Sequence, residues 1–429
     1  MKYNPINVSL FNENRRKFVS KLKTNAIAIF FSNAECVRSG DQTYPFKQNA
    51  DFFYLTGIDQ EQSILVLFPD CPNPLYKEVL FLRQTNEHIA IWEGHKYTQP
   101  QAKDTSGITA IYWLEEFWNV LPSIIHYADI VYLNSNENDR ANHEASNRDL
   151  RFIHQLKDKY PLHEYRRSAS ILRELRAVKS ETEIELTQKA CNITGDAFRR
   201  VLKYVKPGIK EYQIEAEIIH EFIKQGATGH AYTPIIASGA NANILHYNDN
   251  NQVCITGEVI LFDFGAEYAN YNADLSRSIP INGRFTKRQK DVYNAVLHVM
   301  KEAKKMIVAG TVWSEYQDEV GKIMSDQLIE LGLLDKFEVA NQNPTMPLYK
   351  KYFMHGTSHH LGLDVHDFAN RYKPFESGNI LTCEPGIYIR EEGLGIRLEN
   401  DILITESGNI DLMADIPIEI EEIEEIMNS

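Results

Sequence analysis

Long apolar runs are missing from this chain of 429 residues. No run approaches the roughly 20 residues that a helix needs to span a bilayer. The first residues, MKYNPINVSLFNENRRKF, also lack the apolar core of a signal peptide. Both absences argue against a membrane protein or a secreted one, and we expect a cytoplasmic location.

Cysteine is scarce, and basic residues are outnumbered. The five cysteines are scattered and form no CxxC pair, so we expect reduced thiols rather than a disulfide framework. Lys and Arg total 45 against 59 Asp and Glu, which gives a formal net charge of -14. This acidic balance argues against nucleic acid or an anionic membrane as partner, and it favours a small or neutral substrate.

The length of the chain predicts two domains. The first part alternates turn-rich pieces with apolar, strand-like runs, which predicts a small sheet with helices; the runs cover residues 26–31, 63–68 and 78–82. Near residues 166–179 the composition changes. A capping-box signature, Ser180-Glu-Thr-Glu183, then opens a long amphipathic pattern that ends at Pro207-Gly208. We therefore place the domains at residues 1–170 and 171–429.

The second domain contains a weak internal repeat. Glu211-Tyr212-Gln213 and Glu315-Tyr316-Gln317 each follow a glycine turn and open a helical pattern. Each half then continues into a strand-rich stretch that carries two acidic residues. This pattern predicts two helices and a hairpin, duplicated, with a metal site where the hairpins face each other. Chance similarity between ordinary helix starts is the alternative.

Two acidic residues stand in the strand-rich stretch of the first half. Asp263 ends the apolar run in VILFDFG, and Asp274 follows across a turn rich in Tyr and Asn. Antiparallel pairing would bring both carboxylates side by side, where a divalent cation would remove their repulsion. Alternatively, Asp263 caps a turn and Asp274 pairs with Arg277.

The second half contributes histidines and two further acids. Residues 354–367 include a histidine cluster of a density that is typical of metal or catalytic sites: His355, His359, His360 and His366. Glu384 ends an apolar run before Pro385-Gly386. In GIRLEND, strand alternation puts Arg397, Glu399 and Asp401 on one face, where Arg397 would orient the acid or hold a substrate carbonyl. A solvent-facing strand predicts the same alternation.

These motifs resemble those of the aminopeptidase P (Xaa-Pro aminopeptidase) family in the creatinase/methionine aminopeptidase, or pita-bread, superfamily, peptidase family M24. The motifs DFG with NADLSRS, MHGTSHHLGLDVHD, TCEPGIYI and GIRLEND carry the resemblance in the second domain. GDQTYPFKQNADFFYLTGI and AIWEG carry it in the first. The resemblance implies an α/β (α+β) fold with an N-terminal creatinase-like domain and a C-terminal, pseudo-twofold pita-bread metallopeptidase domain.

The resemblance also implies a set of metal ligands. Asp263 would chelate one metal, Asp274 and Glu399 would bridge both, and His359 would bind the other metal together with Glu384. Two Mn²⁺ ions are expected, with Zn²⁺ or Co²⁺ as alternatives, because four carboxylates and one imidazole suit Mn²⁺.

Further residues are assigned by the resemblance alone. His246 and His366 match substrate-contacting, catalytic histidines, and His355 and Arg397 match the substrate site. Asp41 and Trp92 match positions that reach into a neighbour's active site in related tetramers, which implies a homodimer or homotetramer. Arg371 is equated with no residue of the family.

The resemblance implies hydrolysis of the first peptide bond when proline is the second residue. A hydroxide shared by two metals would attack the carbonyl, and Glu384 would pass its proton to the leaving nitrogen. Prolidase, which cleaves dipeptides only, is the main alternative. Methionine aminopeptidase and a metal-free binding protein with the same fold are the others.

Overall fold

The computed structural model describes residues 2–138 and 148–429. They form two compact units, Tyr3–Arg176 and Ala177–Ser429. Among these residues, no helix combines the length and the apolar character that crossing a bilayer requires.

The first unit is built on a mixed sheet. Its strands are β1 (Ala26–Phe31), β2 (Val37–Ser39), β3 (Gln42–Thr43), β4 (Ile64–Leu67), β5 (Glu78–Leu82), β6 (Ala110–Trp113), β7 (Ile130–Leu133) and β8 (Glu164–Arg167). The main sheet has the order β6-β5-β4-β1-β7-β8, and β2 pairs with β3 in a separate hairpin. Every residue of the central strand β1 is buried, as expected for a strand covered on both faces.

Helices flank this sheet and continue to the end of the first unit. They are α1 (Ser9–Val19), α2 (Ala50–Thr56), α3 (Glu87–Glu93), α4 (Gln99–Ser106), α5 (Phe117–Val120), α6 (Pro122–Ile125), α7 (Arg148–Lys159) and α8 (Ala169–Ala177). The strand-like runs predicted at residues 26–31, 63–68 and 78–82 are confirmed as β1, β4 and β5, because uninterrupted apolar runs of this length suit a buried sheet.

The second unit contains long helices. They are α9 (Glu181–Tyr204), α10 (Glu211–Lys224), α11 (Lys287–Met306), α12 (Trp313–Glu330), α13 (Lys336–Ala340) and α14 (Ile420–Met427). The capping box predicted at Ser180 is confirmed: its hydroxyl accepts from Glu183 N, and the Glu183 side chain accepts from Ser180 N.

The strands of the second unit form several small sheets. They are β9 (Gly229–His230), β10 (Ile235–Ser238), β11 (Val259–Phe264), β12 (Ala266–Tyr268), β13 (Tyr271–Asn272), β14 (Leu275–Pro280), β15 (Ile380–Cys383), β16 (Gly386–Ile389), β17 (Leu394–Arg397), β18 (Asn400–Thr405) and β19 (Gly408–Asp411). The sheet orders are β10-β11-β14, β13-β12-β9 and β15-β18-β19, with β16 and β17 as a hairpin. The predicted repeat agrees with the element order, since α9–α10 precede β11 and β14 while α11–α12 precede β15 and β18.

The single alternating strand predicted for residues 396–402 is wrong. β17 ends at Arg397 and β18 begins at Asn400. Between them, Leu398 N donates to Pro385 O at 3.2 Å and Glu399 N donates to Ser276 O at 3.0 Å. The chain changes hydrogen-bonding partner here, and Glu399 is thereby joined to β14 of the first half.

Candidate metal centre

Antiparallel pairing of β11 with β14 places the first two acids. Asp263 pairs in register with Ser276, and Asp274 directly precedes the paired Leu275. Asp274 is buried, and its N–H donates to Asp401 Oδ2 at 3.0 Å. The alternative pairing of Asp274 with Arg277 is wrong, because the guanidinium of Arg277 donates elsewhere; its acceptors are Pro417 O, Ser276 O, Glu399 O and Asn400 Oδ1.

Gly265 permits the close turn between these acids. A Cβ at this position would lie 1.7 Å from Ala273 O, a backbone atom that no rotamer change can move. We therefore expect Gly265→Ala to lower the free energy of unfolding by about 3 kcal/mol, measured by urea denaturation.

Gly229→Ala is the matched control for this substitution. Its added methyl group would meet only Ile219 Cδ1, at an ordinary 3.9 Å. Equal urea midpoints for the two variants would contradict the steric argument.

Tyr232 joins the two acids and was missed by the sequence reasoning. Its hydroxyl lies 2.5 Å from Asp263 Oδ1 and forms a second short hydrogen bond with Asp274 Oδ1. Because a phenol carries one proton, it cannot fully neutralise two carboxylates. Tyr232 lies between β9 and β10, in a segment without any metal-site motif. Only the pairing of β10 with β11 reveals its position.

The segment before β15 brings His359 to the acids. Thr382 N donates to His359 O at 2.9 Å, and Glu384 N donates to Thr357 O at 2.8 Å. His359 Nδ1 lies 3.0 Å from His360 O, to which it donates, so in the neutral ring Nε2 is the nitrogen with a free lone pair. This Nε2 faces Asp274 Oδ2 at 3.4 Å and Glu384 Oε1 at 3.8 Å.

Glu399 completes the cluster. Its side chain is buried, and Ser276 Oγ donates to Oε2 at 2.7 Å. Its Oε1 has no hydrogen-bond partner among residues 2–138 and 148–429. Ligand atoms of Asp274, His359 and Glu399 lie within 4.8 Å of one another. A buried carboxylate oxygen without a donor, beside an imidazole and a second carboxylate, fits a divalent cation.

Burial makes the negative charges of this cluster unfavourable without a cation. Burial and the neighbouring charges of Asp274, Glu384 and Asp263 raise the pKa of Glu399 well above its ordinary value. Burial also raises the pKa of Glu384, against the opposing effect of His359. Burial lowers the pKa of His359, but the hydrogen bond with Asp274 and the charge of Glu384 outweigh it and raise this pKa to about 9.

These pKa shifts predict a strong pH dependence of metal affinity. A ligand imidazole must be neutral, so a cation bound by His359 would displace its proton at pH values below about 9. We expect the affinity for Mn²⁺ to rise about tenfold or more per pH unit in this range, measured by calorimetric titration. His355 and His360 have pKa values of about 3, caused first by burial, and stay neutral throughout. An affinity that does not change with pH would contradict this assignment.

Arg397 directly orients one of the acids. Its Nη2 forms a short ion pair with Asp263 Oδ2, and its Nε donates to Ser276 Oγ at 2.8 Å. Its Nη1 donates to Tyr388 Oη at 3.0 Å, and Tyr388 Oη lies 2.8 Å from His355 Nε2. Tyr388 was not predicted as part of the site. The sequence predicted that Arg397 orients the acid of its own segment, Glu399, whereas its ion pair is with Asp263.

The remaining histidines differ in burial and in the rings that they contact. His366 is exposed, and its ring centroid is 4.5 Å from that of His359. His246 is also exposed. His360 is buried and stacks on Trp313, with ring centroids 5.8 Å apart, which suits a packing role.

Three other residues named from the sequence are exposed. Asp41 lies in the turn between β2 and β3, and Trp92 lies in α3 of the first unit; Arg371 follows the histidine segment of the second.

Comparison with known proteins shows the family of this chain. Residues 185–406 match the model of metallopeptidase family M24, and residues 11–132 match the N-terminal domain of aminopeptidase P. The class of protein that the fold and the cluster define is therefore a metallopeptidase.

Individual relatives match along nearly the whole chain. The Xaa-Pro aminopeptidases of Haemophilus influenzae and Escherichia coli are each 34% identical, over 97% of this chain and 97% of theirs. The structure of E. coli aminopeptidase P with the inhibitor Pro-Leu has a TM-score of 0.88 and 33% identity, covering 99% of both chains. The chain belongs to the aminopeptidase P group of metallopeptidase family M24. The predicted family, fold class and enzyme class are confirmed, and the prolidase alternative is not better supported.

Proposed function

We propose that this chain releases the N-terminal residue from peptides with proline in the second position, in a reaction that needs two divalent cations. The convergence of Asp274, His359 and Glu399 within 4.8 Å carries the proposal. The relatives named Xaa-Pro aminopeptidase support the substrate class.

Five side chains would hold the cations. Asp263 would bind one cation, and His359 together with Glu384 would bind the other. Asp274 and Glu399 would each bind both cations. The unpartnered Oε1 of Glu399 supports a ligand role for this acid. Mn²⁺ is the proposed ion, with Zn²⁺ or Co²⁺ as alternatives, because hard carboxylate oxygens predominate.

The chain's own groups would then manage the protons and charges of the reaction. When bound, the cations supply a nucleophilic water near neutral pH and stabilise charge on the peptide carbonyl. Glu384 would accept the proton of the attacking water and pass it to the leaving nitrogen. His366, whose ring lies against that of His359, or His246 would stabilise the developing oxyanion. His355 and Arg397 are the proposed substrate-site residues, and the hydrogen bonds through Tyr388 support their coupling.

A peptide-length series tests this function. With added Mn²⁺, we expect release of the first residue from Xaa-Pro tripeptides and longer peptides, and much slower release when alanine replaces proline. An X-Pro bond has no N–H, so the site must recognise its shape. Cleavage restricted to Xaa-Pro dipeptides would instead identify a prolidase.

The assembly, location and domain limits stay proposals. We propose a homodimer or homotetramer in which Asp41 and Trp92 contact a neighbour. Trp92 (79% exposed) and the adjacent Ile91 (78% exposed) are large apolar side chains on the surface of α3, which supports a contact with a neighbouring chain there. Light scattering of wild type and Trp92→Ala tests it, since a smaller assembly is expected for the variant.

A cytoplasmic location and domains at residues 1–170 and 171–429 also remain predictions.

A further inference from the structure

A buried ion pair lies outside the set of candidate metal ligands. Lys179 Nζ donates to Asp367 Oδ2 at 2.8 Å, and both side chains are 1% exposed. Lys179 precedes α9, whereas Asp367 ends the segment that carries His359 and His366. Removing two charges from water is unfavourable, and apolar residues often stabilise such a place equally well. A stabilising role alone therefore explains this pair poorly.

The backbone of Asp367 shares an acceptor with the candidate ligand His359. Asp367 N donates to His360 O at 2.9 Å. The same carbonyl oxygen lies 3.0 Å from His359 Nδ1 and fixes the proton on that nitrogen. A displacement of Asp367 would therefore disturb the group that orients the metal-facing Nε2.

The ion pair also packs against Gly362, and the backbone of Gly362 is bonded to Asn272, which lies two residues before Asp274. A Cβ on Gly362 would lie 2.3 Å from Asp367 Oδ2 and 3.1 Å from Lys179 Nζ. Gly362 O accepts from Asn272 N at 3.0 Å and from Asn272 Nδ2 at 2.9 Å. On the opposite side, Lys179 N donates to Gly378 O at 2.8 Å. The ion pair is therefore held in place by contacts with Gly362 and with Gly378.

We propose that the Lys179–Asp367 ion pair positions His359 and His366 for the peptidase reaction. The pair holds Asp367 in place. The N–H of Asp367 donates to the His360 carbonyl, and this carbonyl also accepts from His359 Nδ1. The pair also fixes the residue next to the exposed His366. Lys179 and Asp367 are positioning residues that touch neither substrate nor cation. This inference rests on the proposed function.

A charge-neutral double variant separates positioning from stability. Lys179→Met and Asp367→Asn each leave one buried charge without its partner, so both should lower the melting temperature. The double variant removes both charges, and its melting temperature should return towards that of wild type. Its kcat with saturating Mn²⁺ should nevertheless stay about tenfold or more below wild type, because loss of a group that orients a ligand has effects of this size.

Metal affinity provides a readout that needs no peptide. The dissociation constant for Mn²⁺ of the double variant, measured by calorimetry, should rise about tenfold. A merely structural pair would give wild-type kcat and wild-type affinity once the fold is restored, and that result would overturn the proposal. All measurements use a temperature at which circular dichroism shows every variant folded.

An exposed ion pair is the matched control. Lys301 and Glu419 are 2.7 Å apart with side chains 52% and 51% exposed, and Lys301→Met/Glu419→Gln should change neither kcat nor metal affinity. If wild type releases no residue from Xaa-Pro peptides, the proposed function fails. The metal-affinity comparison would still decide whether the pair positions His359.

Discussion

Replacing Glu399 by Gln lowers the rate of Xaa-Pro peptide hydrolysis by about a thousandfold or more, because metal-ion stabilisation of the transition state is worth several kcal/mol. Glutamine preserves the shape and can still accept from Ser276, but its amide presents one neutral oxygen and cannot bridge two cations. Asp274→Asn should have the same effect. Both variants should retain fewer than two metal ions per chain, measured by elemental analysis together with kcat/KM.

Glu424→Gln is the control for these substitutions. Glu424 is buried as well, but it binds Phe285 N and the side chains of Arg284 and Lys290. Its replacement should leave hydrolysis and metal content near wild type. Wild-type turnover with two bound ions in either Glu399→Gln or Asp274→Asn would refute the bridging role.

Glu384→Gln lowers kcat by about 10²–10⁴-fold even at saturating Mn²⁺, the range expected when a general acid–base group is lost. Glutamine cannot accept the proton of the attacking water or return it to the leaving nitrogen. Because ground-state binding of the peptide does not need this proton, KM should change much less than kcat. Steady-state kinetics at several Mn²⁺ concentrations separates this effect from weaker metal binding.

The neighbouring Glu391→Gln serves as its control. Glu391 lies in the turn between β16 and β17 and is exposed. It should behave as wild type. If Glu384→Gln lost activity only through KM, or recovered fully with excess Mn²⁺, Glu384 would be a ligand without a role in proton transfer.

Local sequence patterns predicted much of the fold and the general nature of the site. An apolar run that ends in an acid predicted the strand bearing Asp263, since a buried charge needs a partner. The dense histidine segment and the acid before Pro385-Gly386 indicated that the second half of this domain also contributes residues to the site. The family resemblance then supplied the proposed role of each residue.

Tertiary contacts that leave no local pattern could not be predicted. Tyr232 reaches Asp263 and Asp274 from a different segment, and only strand register brings it there. The change of partner at Leu398 and Glu399 depends on bonds to Pro385 and Ser276, which period-two alternation does not encode. Arg277 likewise donates to acceptors that are remote in sequence and not to Asp274; these acceptors include Pro417 O, Glu399 O and Asn400 Oδ1.

Anomalous diffraction from Mn²⁺-loaded crystals tests the metal centre most directly. Two peaks are expected, about 3.5–4 Å apart as in co-catalytic sites, each within bonding distance of both Asp274 and Glu399. Asp263 should contact only one peak, and His359 with Glu384 only the other. A single peak, or two peaks bound by other side chains, would contradict the account.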